Sequence, residues 1–499
     1  MFNLLFSGLK IILVPSTFLL ITAGTVLGVI FGALPGVSAS MAVALALPFA
    51  YAMNPVIAIA FLVSVYCASI TGGGITAILF KIPGTPSSAP TTFDGYPMAQ
   101  RGEAGKALGF SLVASAIGGM VAAFAMALIS PQLSSVALKF GPSELFAVSF
   151  LGLSVLSCLD SDNIVKTLIS GLLGLFLACI GMDPMLGIAR FTWGSSTLLS
   201  GIEMIPIMIG LFAVTEVLKQ TGKKKEKLES TSGEGEAKVK TVLPSFKELW
   251  ETKATMTRSS ILGTIVGILP GAGATIASFL SYAIEKKINK KADKLGTGIA
   301  DGIVASEAAN NAATGGSMVP LLSLGIPGGN AAAIMMTALV IKGVQIGPLL
   351  VKTQPDYLAS VFGSMFITNI VMVIVAMLVA KIFAKILAVP YTILGPVIIM
   401  LATIGAYALK NNTGDILLMT TAGILGYLFV KLKYNSAALV LGLVLGQMSE
   451  SNFRRAYTLT NGDFIGIFSK PITAILVSVC VIMLVYPLIK MVLFNKKNK

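Results

Sequence analysis

The sequence predicts an all-α polytopic membrane protein made of two repeats, expected to be inverted, with re-entrant hairpins and broken helices. Three observations carry that expectation. The 499 residues are 55% hydrophobic and only 12% charged, with a mean hydropathy of +0.88, whereas a soluble chain of this length exposes far more charge. Several apolar runs reach the length of about 20 residues that a bilayer-spanning helix needs. Two blocks rich in Pro and Gly occur twice, in the same order, on either side of a charged stretch.

Segments 11–33, 107–130, 164–182, 198–218, 357–380, 386–409 and 471–494 qualify directly as spans. Interrupted runs bring the expected total to roughly ten to twelve membrane-embedded segments. Met1 to Ala33 has the outline of a signal sequence, with Lys10 ahead of an apolar run. The run is too long and lacks a small-x-small cleavage site, so it reads as a retained first membrane segment.

The net charge of +14 sits in short connections: Lys219 to Arg258, Lys286 to Lys294, Lys381 and Lys385, Lys431 and Lys433, and the tail Lys496, Lys497 and Lys499. Basic connections mark the cytoplasmic face, which places the 219–258 linker and the C-terminus there and argues against a nucleic-acid partner. The linker is polar, with a Ser/Gly/Glu stretch typical of flexible chain. It divides a first membrane half, 1–218, from a second, 259–499, which includes C-terminal helices. Cys67, Cys158, Cys179 and Cys480 lie in apolar surroundings without metal-type spacing and read as core residues. The absence of His excludes His-based catalysis and zinc-protease motifs. No Walker A pattern is present, so an ion gradient is the expected energy source, with no cofactor beyond Na⁺ or H⁺.

The first duplicated block is GVIFGALPGVSASMA (28–42) against GTIVGILPGAGATIA (263–277); the second is TGGGITAILFKIPG (71–84) against TGGSMVPLLSLGIPG (314–328). Segment 259–283 is long enough to span, yet both its flanks are basic, with Pro270-Gly271 at the centre. Pro breaks a helix and Gly permits the turn. Two arms of about eleven residues would each rise ~16 Å, to about the bilayer midplane. A re-entrant hairpin is therefore expected, with a kinked spanning helix as the alternative.

Backbone without helical partners is tolerated at membrane depth only inside protein or along a wet cavity. Four such breaks are expected: Pro35-Gly36, Thr71 through Pro86, Pro270 through Gly273, and Gly315 through Gly329. Paired breaks in corresponding places point to a substrate site in a repeat-built transporter, where half-helix N-termini suit a carboxylate. The substrate-binding candidates are Pro35, Gly36, Ser38, Ser40, Gly72, Gly73, Gly84, Thr85, Pro86 and Ser87 in the first half. In the second they are Gly271, Gly273, Thr275, Gly315, Gly316, Ser317, Gly328, Gly329 and Asn330. Small Gly, Ser and Thr residues also serve close helix packing, and that reading stands beside the functional one.

Glu307, Asn310 and Asn311 fall at i, i+3, i+4 in an Ala-rich stretch, on one helix face. A carboxylate with two side-chain carbonyls suits a hard cation, and ionisable groups at membrane depth are costly enough to be functional; a structural anchor is the other reading of Glu307. Asp301 is expected at the interface. Phe93 to Gly102 reads as a tight polar connection, with Asp94-Gly95 as its turn signal.

These blocks, with LVLGLVLGQMSESNFRRAYTLTNGDFIGIFSKPI (439–472), resemble the large membrane subunit of the tripartite tricarboxylate transporter family over nearly the whole chain. The resemblance implies a non-enzymatic permease of the bacterial cytoplasmic membrane, working with a small membrane subunit of about four helices and an extracytoplasmic solute-binding protein. It implies uptake of citrate-like di- or tricarboxylates coupled to Na⁺ or H⁺, and, by analogy alone, an elevator-like fold. Gly74, Lys81 and Ser38 depart from the family pattern, which has Ser, Asn and Gly there; Lys81 would either meet an extra carboxylate or snorkel to the interface. A passive anion channel and an importer of another organic anion, such as an aromatic carboxylate, are the competing functions.

Overall fold

The computed structural model describes residues 2–34, 37–159, 164–183, 186–221, 241–269, 273–387, 391–408 and 411–497. It is helical throughout, apart from a two-residue ladder pairing Gly181–Met182 with Ala189–Arg190. Among the described residues six helices are long and apolar enough to cross a membrane, and five shorter apolar helices accompany them. Large side chains such as Leu172, Met400 and Leu417 stand exposed on their outer faces, as lipid-facing residues do. The chain is a multi-pass membrane protein.

Ten helices build the centre. In the first half they are α1 (Pro15–Ala33), α2 (Ala39–Tyr51), α3 (Pro55–Phe80), α4 (Thr91–Met98) and α5 (Ala104–Ala137). In the second they are α6 (Phe246–Ile268), α7 (Gly273–Ile288), α8 (Ala300–Leu324), α9 (Asn330–Ile341) and α10 (Pro355–Leu387). Their starts follow capping rules. Pro15 opens α1 and divides the expected 11–33 run from a separate helix, Phe2–Ile12. Asn54 caps α3 ahead of Pro55 by accepting the Val56 amide at 3.0 Å. Ser245 and Glu248 form a reciprocal capping box at α6, so the helix begins inside the stretch expected to be linker. Residues 222–240 of that linker lie outside the described residues.

α6 and α7 lie side by side. Ser281 donates to the Ser259 hydroxyl at 2.9 Å, and Arg258 holds Glu285 through Nε at 2.7 Å and Nη2 at 2.6 Å. Residues 22 to 27 apart in sequence meet in this way only if the two arms run antiparallel from a sharp turn. A Ser259→Cys/Ser281→Cys pair in a cysteine-free background is therefore expected to form a disulfide on oxidation of the full chain; failure to cross-link would contradict the hairpin.

α3 and α8 cross antiparallel at the centre. Tyr66 pairs with Ser317 at 3.4 Å, and Thr71 donates to Asn311 at 2.9 Å. α1 packs along α3, α6 along α8, and α5 between α8 and α10. The tight crossings correct one expectation. α3 runs unbroken through Thr71–Gly74 to Phe80, and α8 through Gly315–Ser317 to Leu324. The real breaks are Lys81–Thr85 and Gly325–Gly329. The upstream glycines serve packing instead: a β-carbon at Gly72 would overlap the Val29 carbonyl, one at Gly316 the Thr264 carbonyl, and one at Gly315 would lie 2.7 Å from Ala122 Cβ. Phe93 to Met98 is likewise helical, not a turn, and the chain kinks only later, at Gly102 (φ 84°), just before α5.

Candidate functional site

The breaks after α3 and α8 are built alike. Each helix ends on a left-handed residue, Lys81 (φ 57°) and Gly325 (φ 74°). The next amide reaches back over the cap: Ile82 N–H to Thr76 O at 3.4 Å, Ile326 N–H to Pro320 O at 3.2 Å, the long bond of a Schellman motif. The chain then folds back onto its own helix. A β-carbon at Gly84 would overlap the Gly32 carbonyl and lie 2.9 Å from Gly73 Cα; one at Gly328 would lie 2.8 Å from the Gly267 carbonyl and 2.6 Å from Ser317 Cα. Gly32 and Gly267 are matched positions in the first duplicated block, so the same three-way contact occurs in both halves. It aligns Gly73 with Ser317, one residue off the register that the repeated Thr-Gly-Gly suggests.

Lys81 carries the left-handed strain that Gly avoids, a cost of roughly 1–2 kcal/mol for an L-residue. Its side chain is exposed, with Nζ 5.6 Å from the Tyr96 ring centroid, which fits the snorkelling reading. Lys81→Gly is expected to stabilise the fold by about 0.5–1 kcal/mol, once the added freedom of the unfolded chain is counted; a thermal melt in detergent checks it.

The two halves lean on each other at these breaks. α7 packs against the short turn Pro86–Ser88, and α2 against α9. Ser38 caps α2 by accepting the Met41 amide at 3.1 Å, and Ser40 lies half-buried one turn-step on. Thr85, Ser87 and Ser88 form a buried hydroxyl cluster, with Thr85 Oγ1 3.0 Å from Ser87 Oγ and 3.1 Å from Ser88 Oγ. Gly273 opens α7 with φ +63° and open space where a side chain would be, 3.9 Å from a β-carbon placed on Gly329. Thr275 and Asn330 are half-buried at the starts of α7 and α9. Pro86 is exposed, and Ser317 is fully buried against Tyr66. Pro35, Gly36 and Gly271 lie outside the described residues.

Glu307, Asn310 and Asn311 do come together. Glu307 is fully buried. Its carboxylate accepts from Thr91 Oγ1 at 2.6 Å, Ser115 Oγ at 3.2 Å and Asn310 Nδ2 at 3.3 Å. Asn311 Nδ2 donates to Asn310 Oδ1 at 2.8 Å, while Asn311 Oδ1 accepts Thr71. Both side-chain carbonyls are thus already accepting bonds. Thr91, on α4, and Ser111 and Ser115, on α5, are the neighbours that sequence reasoning missed. The two serines at i, i+4 in an apolar helix were the available signal.

Asp94 has a definite role. It is fully buried and accepts the amides of Gly298 at 2.8 Å, Ile299 at 2.9 Å and Gly296 at 3.0 Å, with the Tyr282 hydroxyl at 2.7 Å. It therefore anchors the start of α8 to α4 and α7. Asp301 sits beside it, bound to Lys291 Nζ at 3.1 Å and Thr255 Oγ1 at 3.0 Å.

A family model described as the tripartite tricarboxylate transporter TctA family matches residues 18–441. The chain belongs to this family. It is 36% identical over 495 residues to an uncharacterized 52.8 kDa protein in the TAR-I ttuC' 3' region of Agrobacterium vitis, covering 99% of this chain and 97% of that one. A second protein of that organism, from the TAR-II ttuC' 3' region, is 37% identical over 231 residues, which are 46% of this chain and 96% of the other. No solved structure matches. TctA is a family of transporters and not of enzymes, and membership of it makes the chain a tricarboxylate transporter subunit.

Proposed function

We propose that this TctA-family chain is the permease of a binding-protein-dependent secondary transporter that imports a citrate-like di- or tricarboxylate, coupled to Na⁺ or H⁺. The matching contacts of Gly84 and Gly328 carry the reading. Two folded-back breaks built on the same three backbone positions are what a duplicated unit produces, and the antiparallel run of α3 and α8 supports an inverted relation between the copies. The hairpins α1–α2 and α6–α7 are then re-entrant, with their tips near the bilayer midplane. The starts of α2, α7 and α9 present free amides with the hydroxyls of Ser38, Ser40 and Thr275 and the amide of Asn330, the Pro86–Ser88 turn adds the hydroxyls of Thr85 and Ser87, and Ser317 on α8 backs the second break at Gly328. Such groups bind a carboxylate without burying a full countercharge. Movement of this unit against the remaining helices, as in an elevator, is the transport step the arrangement suits.

The remaining parts follow from the family. A small membrane subunit and an extracytoplasmic binding protein complete the assembly in the cytoplasmic membrane of a bacterium, with the 219–258 linker and the C-terminus inside. Uptake of labelled citrate and a panel of di-, tri- and aromatic carboxylates into proteoliposomes, with and without binding protein, tests the substrate class. Preference for aromatic monocarboxylates, or indifference to binding protein, would overturn the corresponding part.

A further inference from the structure

We infer that one small monovalent cation binds between α8 and α5, held by Glu307 with the hydroxyls of Ser111, Ser115 and Thr91. Its role as a coupling ion rests on the transporter reading above; its existence rests on the geometry that follows.

Among the described residues, Glu307 differs by its partners from the buried carboxylates of Glu285, Asp301, Glu144, Asp183 and Asp94. Glu285 has Arg258, Asp301 has Lys291, Glu144 has Lys470 and Asp183 has Arg454. Asp94 has three backbone amides. Glu307 is as deeply buried as any of these, yet its side-chain partners are hydroxyls and one carboxamide, and no Lys or Arg among the described residues pairs with it. An ionised carboxylate in an apolar interior needs a compensating charge.

The second observation is Ser111. Ser111 is 1% exposed and its hydroxyl makes no hydrogen bond among the described residues, although a buried hydroxyl left unpaired costs free energy. It converges with the Glu307 carboxylate over Gly74, because a β-carbon there would lie 2.9 Å from Ser111 Oγ and 2.8 Å from Glu307 Oε1. Ser115, one turn along α5, reaches the other carboxylate oxygen, and Thr91 bridges Oε1 to Ser306 Oγ at 2.8 Å. Hydroxyls that donate to a carboxylate retain lone pairs for a cation. The set is all hard oxygen and carries one negative charge. It lacks the several carboxylates that a divalent ion favours and the soft ligands of transition metals. Asn310 and Asn311, whose carbonyls are engaged, stand behind the carboxylate and orient it.

Binding of radiolabelled Na⁺ to the purified full chain, competed by unlabelled Na⁺, K⁺ or choline, tests this. Saturable binding is expected in the parent protein, unchanged in Ser149→Ala, a distant buried serine. Ser111→Ala removes a hydroxyl that has no partner, so the fold is expected to persist while affinity falls by about ten-fold or more. Gly74→Ala removes no ligand but sets a methyl between Ser111 Oγ and the carboxylate, and a comparable loss is expected. Absence of saturable Na⁺ binding, or parent-like affinity in both variants, overturns the site. If uptake is concentrative but driven by a pH gradient with no Na⁺ bound, the cation site fails and the transporter reading stands. If Ser111-dependent binding occurs without concentrative uptake, the site stands and the transporter reading fails.

Discussion

Asp94→Ala is expected to destabilise the folded chain by about 4 kcal/mol, the largest single effect outside the breaks. Three amides at the start of α8 and the Tyr282 hydroxyl share this one carboxylate. Leaving a buried donor unsatisfied costs roughly 1–3 kcal/mol each, and bonds to an ionised acceptor lie in the upper part of that range. The sum is reduced where water reaches Gly296, which is exposed, and Ile299, which is half-buried. Asp94→Asn keeps one acceptor oxygen but turns an amide donor toward other donors, so an intermediate loss is expected. Denaturant or thermal unfolding in detergent measures both. A parent-like midpoint for Asp94→Ala would show that α8 is anchored elsewhere, by the Lys291–Asp301 pair or by Arg101, which donates to the carbonyls of Thr297 and Gly298.

Gly84→Ala and Gly328→Ala should each abolish uptake, and to a similar degree. In both, the new β-carbon meets backbone on one side and the fold-back helix on the other, and backbone cannot rotate away as a side-chain end can. Overpacking of this kind costs about 1–3 kcal/mol, which a membrane fold survives, but the strain falls on the break itself. Transport below about 1% of the parent, in protein that still inserts and melts cooperatively, is the expected result, since misplacing a binding geometry by 1 Å can cost ~100-fold. Gly171→Ala is the control, because its β-carbon would meet only the Ala438 carbonyl at 3.8 Å. Loss in one half with full activity in the other would argue against two equivalent breaks.

Much of this was legible in the sequence, where the signal was local. Pro270-Gly271 between basic flanks announces a hairpin, because breakers and charges act over a few residues, and the Ser259–Ser281 hydrogen bond agrees with it. The duplicated Ile-Pro-Gly located both breaks. The Thr-Gly-Gly runs misled, because glycine serves both chain turns and tight helix crossings, and only the neighbour across the crossing distinguishes them: Val29 for Gly72, Thr264 for Gly316. Asp94-Gly95 misled for a related reason. Asp is a turn former when its carboxylate bonds its own backbone, but here it bonds residues some 200 positions later. Glu307 with Asn310 stood out by spacing and burial cost. Its partners were harder to find: Ser111 and Ser115 show only as two serines at i, i+4 in an apolar helix, and Thr91 shows nothing, since contacts between distant helices leave little trace in either one.

Concentrative uptake tests the central claim most directly. Proteoliposomes containing this chain and its small partner subunit would receive labelled citrate, with binding protein outside and an inward Na⁺ or H⁺ gradient. The account predicts accumulation above the external concentration, lost when the gradient or the binding protein is omitted. Flux that only equilibrates, indifferent to both, would contradict it and describe a passive anion channel instead.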